Sequence, residues 1–193
     1  MIIMEAPKPS PRPVLYNEET STFYDLEFSN VDNGGKYPGS FTKKEYSWLS
    51  QFSKGKILHL FSGSSQLGDI RVDLANLAAT INADVFKYLS QPLDHFDTVI
   101  LDPPYNQKFA EKYAKLSGTD WRKQFIIFAQ TEKTTTLFNR LIELSPQRII
   151  LKSWNWYVVK GYYPFKAFVC YAGGYRKPTF FMVMEKLPLQ GAH

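Results

Sequence analysis

The sequence predicts an α/β domain with a mostly parallel sheet, closed at its C-terminal edge by an antiparallel hairpin. Three observations lead there. The apolar runs KILHLF (56–61) and FDTVIL (96–101) read as strands buried on both faces, the habit of parallel sheets. They alternate with stretches of helical period at 42–55 and 131–144. Two last strand-like runs, Lys166 to Ala172 and Thr179 to Glu185, flank Gly173-Gly174, a hairpin signal. At 193 residues the chain is expected to form one domain, 15–193, behind a short arm. A domain of that size buries about 70% of its unfolded surface, enough for a core without covalent staples.

Taken in order, residues 1–14 carry Pro7, Pro9, Pro11 and Pro13, which fix φ and remove donors, so an extended arm is expected. Residues 15–41 are mixed and turn-rich, with Asn33-Gly34-Gly35 and Pro38-Gly39 as breakers. Thr42 followed by Glu45 is a capping box that starts a helix. Tyr46, Leu49 and Phe52 give that helix an apolar face, and Gly55 stops it. The strand 56–61 runs into Ser62-Gly63-Ser64-Ser65. Residues 66–79 have two readings: a helix on Leu67, Ile70, Leu74 and Leu77, or a strand Ile70–Asp73 with its acid at the carboxyl end. Thr80 to Val85 reads as a strand, 107–116 as a helix, and 125–129 as a short strand or a helix start. The helix 131–144 presents Leu137, Leu141 and Leu144 and ends at Pro146, before a strand at Arg148 to Leu151.

Composition excludes several classes. Hydrophobic residues are 44% and charged residues 21%, so wholesale disorder is excluded. The one cysteine, Cys170, cannot form an internal disulfide or a cysteine zinc cage, and His59, His95 and His193 are scattered, so no metal site is expected. Apolar runs of about six residues fall far short of the ~20 of a membrane span. The start MIIMEAPKPSPRP shows no secretory leader pattern, so a reducing, cytoplasmic setting without membrane contact is the expectation. No phosphate loop, dinucleotide fingerprint or nucleophile elbow occurs. A net charge of +5 and an aromatic content of 16% suit a polyanion with stackable bases, though both also occur in proteins that bind neither.

The sharpest chemical signal is Asp102-Pro103-Pro104-Tyr105, directly after a buried strand. The prolines hold a rigid corner, so a planar amine could donate to Asp102 and to the Pro103 carbonyl while Tyr105 stacks on its ring. In such sheets ligands bind at the carboxyl ends of strands, and both this corner and Ser62-Gly63-Ser64 occupy such ends.

An apolar strand followed by DPPY resembles the catalytic motif of S-adenosylmethionine-dependent amino-methyltransferases that act on adenine N6. Phe61-Ser62-Gly63-Ser64-Ser65 is similar to that family's F-x-G-x-G loop, which wraps the methionine part of the cofactor. Ala83-Asp84-Val85-Phe86 resembles the segment whose aspartate meets the cofactor adenine. The resemblance covers roughly residues 40–185. It implies a single Rossmann-like class I methyltransferase domain with a seven-stranded sheet and no large separate target-recognition domain. It further implies S-adenosylmethionine held by Phe61, Ser62, Gly63, Ser64, Asp73, Asp84, Val85 and Asp102, and catalysis at Asp102, Pro103, Pro104 and Tyr105.

The sequence departs from the family in two places. Ser65 stands where the loop has a second glycine, and only ten positions separate Gly63 from Asp73, the candidate ribose acid, where the family fits a full helix. The preferred reading cuts that helix to the single turn GSSQLG.

Residues 152–177 interleave aromatic and basic side chains. Lys152, Trp154, Trp156, Tyr157 and Lys160 are the candidates for contact with nucleic acid, DNA before RNA, in a chain expected to act as a monomer. A base reaching the corner must leave its stack. The competing readings are an RNA base methyltransferase and a nucleic-acid-binding subunit that has lost cofactor binding.

Overall fold

The protein is described from a computed structural model, for residues 14–17, 22–30, 41–74, 76, 78–127, 129–171 and 177–188. In chain order its elements are β1 (Val14–Asn17), β2 (Thr22–Asn30), α1 (Lys43–Phe52), β3 (Ile57–Leu60), β4 (Ile70–Asp73), β5 (Ile81–Asn82), α2 (Val85–Leu89), β6 (Thr98–Leu101), α3 (Gln107–Ser117), α4 (Thr131–Leu144), β7 (Arg148–Ser153), β8 (Tyr162–Tyr171) and β9 (Thr179–Lys186).

The strands form one sheet in the order β1-β2-β8-β9-β7-β6-β3-β4-β5. All run the same way except β9 and β1. The seven strands from β8 to β5 match the mostly parallel sheet with an antiparallel C-terminal pair that the sequence predicts. Five of them, β5-β4-β3-β6-β7, stand in the 3-2-1-4-5 order of doubly wound sheets, a Rossmann-like arrangement.

The sheet is wider than expected. The turn-rich stretch 15–41 contributes β1 and β2, and β2 lies parallel to β8 from Asp25↔Lys166 to Asn30↔Tyr171. Its partner is some 140 positions away, so no local turn announces it. A signal was nonetheless present: Tyr24, Leu26 and Phe28 alternate with Asp25, Glu27 and Ser29.

Other expectations are corrected in detail. Between β3 and β4 there is no helix among the described residues, and Ile70–Asp73 is a strand, as the single-turn reading has it. The strand expected at Thr80–Val85 shrinks to Ile81–Asn82, because Asp84 caps α2 with bonds from the Phe86 and Lys87 amides. The described residues of 125–129 are neither strand nor helix. β8 begins at Tyr162, four residues early, and tolerates Pro164 at a register shift against β9. The arm before Val14 lies outside the described residues, as do Gly173 and Gly174.

The core lies on both faces of the sheet. Leu58, Leu60, Val99, Leu101, Ile149 and Leu151 point to one face, under Val85, Leu89, Leu137 and Leu141 of α2 and α4. Ile100 and Ile150 point to the other, with Phe168, Phe181 and Val183, under Trp48 and Leu49 of α1. Trp48 stacks on Phe168 at 3.8 Å.

The capping box that starts α1 is present, with Glu45 N donating to Thr42 Oγ1 at 3.2 Å and Thr42 N to Glu45 Oε2 at 2.7 Å. After α1, a Cβ on Gly55 would sit 2.1 Å from Asp97 Oδ2, so the turn into β3 is closed to other residues.

Candidate active site

A cleft opens at the carboxyl ends of β3, β4 and β6. The chain leaves β3 toward β4 and leaves β6 toward β7 on the opposite side, so the cleft sits at the switch point of strand order. Phe61 to Ser65 line it after β3, Asp73 and Leu74 after β4, and Asp102 and Pro104 after β6. Phe41, just before α1, and Tyr46, within it, also line the cleft.

The first wall is a tight turn. Phe61 and Gly63 hold φ of +58° and +52°, the left-handed region, and the Phe61 ring stacks on Phe125 at 5.6 Å. Ser62 N donates to Val72 O at 3.1 Å and Ser65 N to Ser62 O at 3.0 Å. Gly63 N donates to Asp73 Oδ2 at 2.9 Å. Ser65 is absent from the left-handed residues, and its hydroxyl accepts from Leu67 N at 3.2 Å. The turn therefore needs no glycine at position 65. The Ser62 hydroxyl is buried with no protein partner.

The second wall is the Asp-Pro-Pro-Tyr corner. Asp102, Pro103 and Pro104 are buried, and Ile127 N fixes the Pro104 carbonyl at 3.2 Å. Asn106 caps α3 through Phe109 N at 2.8 Å. This brings the Phe109 ring to 5.0 Å from Tyr105, and Trp154 meets Tyr105 at 5.2 Å. Lys177 stands 5.6 Å over Trp154.

Burial pushes the Asp102 carboxyl up to about 7, against the pull of Lys152 and with added push from Glu45 and Asp73. Burial likewise raises the Tyr105 phenol far above its ordinary value. Cys170 is buried in β8 and its thiol is raised to about 12, so it remains a protonated core residue.

The sequence-derived candidates separate here. Phe61, Ser62, Gly63, Ser64, Asp73 and Asp102 share the cleft. Asp84 is exposed and engaged as the α2 cap, and Val85 is in the core; neither is among the cleft residues. Of the proposed nucleic-acid residues, Trp154 stands at the corner and Lys160 is exposed. Trp156 packs edge-on to Phe180 at 5.8 Å and Tyr157 to Phe138 at 6.0 Å.

Lys152 is corrected. It is 5% exposed and cannot reach a phosphate from there; its Nζ donates to Glu45 Oε2 at 2.9 Å. Lys152 and Ile150 share a face of β7, which is the face α1 covers, so the side chain turns inward. Sequence reasoning took Glu45 only as a cap and Lys152 only as a nucleic-acid contact, and missed their buried pairing. The one available signal was that alternation from Ile150.

The chain matches no protein-family model and no curated protein.

Proposed function

We propose that the protein is an S-adenosylmethionine-dependent amino-methyltransferase acting on the N6 amine of adenine in DNA. One observation carries this reading. Asp102 of the Asp-Pro-Pro-Tyr corner faces the same cleft as the Ser62–Ser65 turn and the Asp73 carboxylate, from adjacent strand ends. The Rossmann-like sheet with its reversed β9 is compatible with the class I methyltransferase fold that the motifs resemble.

The cleft residues fit the cofactor. Gly63, which has no Cβ and lies in the left-handed region, lets the main chain approach a ligand closely, and the unpartnered Ser62 hydroxyl is a ready polar contact. Ser62, Gly63 and Ser64 would hold the amino-acid end, and Asp73 would accept from the ribose hydroxyls. When bound, S-adenosylmethionine supplies a methyl group on a positively charged sulfur.

Asp102, ionised above about pH 7, accepts one hydrogen of the adenine amine. The Pro103 carbonyl, at a corner outside the strand ladder, accepts the other. Two acceptors placed in this way draw the nitrogen lone pair out of conjugation with the ring and toward the attacked carbon. Fixed geometry supplies much of the barrier reduction, on the order of several kcal/mol. After transfer the nitrogen is cationic and strongly acidic, and Asp102 is placed to receive its proton. Tyr105 offers the face on which the extruded base stacks, backed by Phe109 and Trp154.

The test is transfer of labelled methyl from S-adenosylmethionine to duplex DNA, followed by nucleoside analysis. Label on N6-methyl-deoxyadenosine is expected. Label on cytosine or guanine, or transfer to RNA alone, overturns the assignment.

A further inference from the structure

We propose that Lys152 is a positioning residue of the Asp-Pro-Pro-Tyr corner: gripped by Glu45, it sets a fixed positive charge beside Asp102 and holds that carboxylate ready for the amine. The inference rests on the amino-methyltransferase reading and deepens it.

The placement follows from the sheet. Leu101, the last residue of β6, pairs with Leu151 of the parallel β7, so Asp102, just past the end of β6, and Lys152 of β7 are the residues that follow that pair. Ile100 and Ile150 face α1, and by alternation Asp102 and Lys152 leave their strands on that same face. There the Lys152 ammonium meets Glu45 at 2.9 Å and lies 5.1 Å over the Phe41 ring. Glu45 is 1% exposed and is held by the Thr42 amide at 2.7 Å. Phe41 and Tyr46, which wall the cleft, flank this helix start. One ion pair thus joins the cleft wall to the corner.

Stability does not account for the pair. A buried ion pair is often replaceable by apolar side chains at no loss, and here one Glu45 oxygen, Oε1, is buried without a partner. The charges that face Asp102 are Lys152 from β7, Glu45 from α1 and Asp73 from β4. Tyr105 and Cys170 adjoin the same group and stay protonated. Lys152 is the cation of this set. Burial works to discharge it, but the Asp102 and Glu45 carboxylates and the hydrogen bond to Glu45 outweigh burial and keep it charged.

The experiment compares wild type, Lys152→Met, Lys152→Arg and the double variant Glu45→Gln with Lys152→Met. Two readouts are taken: kcat against pH, and the carbon-13 titration of the Asp102 carboxyl, assigned by its loss in Asp102→Asn. Removing the cation should move both midpoints up together by about one unit or more, cutting turnover about fivefold or more at pH 7 and restoring it toward pH 9. Lys152→Arg should titrate like wild type. The double variant should melt no lower than wild type and show a limb shifted in the same direction but by less, because the push of Glu45 on Asp102 is lost along with the larger pull of Lys152; this keeps the test open should the single variant fail to fold.

A carboxyl midpoint that stays in place without the cation overturns the proposal. So does turnover reduced equally at every pH, the mark of a structural role. Absence of methyl transfer by wild type, with the Asp102 titration still moved by Lys152→Met, would sink the functional reading and leave the electrostatic pairing standing.

Discussion

The Gly63 amide donates to the Asp73 carboxylate at 2.9 Å, so the turn after β3 and the end of β4 form one wall of the cleft. Asp73 also accepts from Asn76 N at 2.9 Å. A single carboxylate therefore closes two turns and lines the cleft.

Asp73→Ala should weaken S-adenosylmethionine about 10- to 100-fold, the worth of roughly 1.5–3 kcal/mol for hydrogen bonds to a charged group. It should also lower the melting temperature, since two turns lose their acceptor. Calorimetric titration beside a thermal melt separates the effects. Unchanged affinity would remove Asp73 from the cofactor site.

Asp102→Ala should cut turnover at least ~100-fold with little change in cofactor affinity, as expected for losing one preorganised polar group. Asp102→Asn carries a further signature. The native carboxyl titrates at about 7 and its ordinary value is 3.8. The raised native value means the stability of the neutral acid is whole below pH 3.8 and is lost as pH rises through about 7. Asp102→Asn should thus be more stable than wild type at pH 8, and the gap should close toward pH 4. Wild-type activity should run the other way, rising through pH 7 as the acceptor ionises. Denaturant melts and a pH–rate profile check both signs.

Tyr105→Ala should reduce substrate affinity and turnover together, since a stacked base is worth about 1–3 kcal/mol. Tyr105→Phe should recover most of the loss, because the phenol stays protonated and stacking needs only the ring. Trp154→Ala should show a smaller loss of the same kind. Binding of an adenine-containing duplex by each variant is the measurement, and equal loss in Tyr105→Phe and Tyr105→Ala would rule out stacking.

DNA affinity should fall steeply with salt if the surplus of positive charge is used. Lys160→Gln and Lys177→Gln, both at exposed positions, should each lower the slope of log K against log salt by about one. A slope near zero in wild type would argue against a polyanion.

Much of this protein is written in local sequence. The capping box at Thr42 and Glu45, the Asp-Pro-Pro-Tyr corner and the acid at the end of Ile70–Asp73 are each short-range: a cap, two fixed φ angles and a strand end. Neighbouring residues suffice to specify them, and strand ends then gather at one edge of a parallel sheet. The Asp84 segment was legible only as a likeness, and locally its carboxylate satisfies the first amides of α2.

Tertiary structure decided the rest. Lys152 sits in a run that looks basic and aromatic, yet its face is set by which side of β7 meets α1, a matter of packing between residues 107 positions apart. Glu45 reads as a cap, and only the approach of β7 makes it the anchor of a buried cation. The place of β2 beside β8 was likewise undetermined by its own residues, because a strand's alternation states that it has two faces and does not name the neighbour that will satisfy its amides and carbonyls.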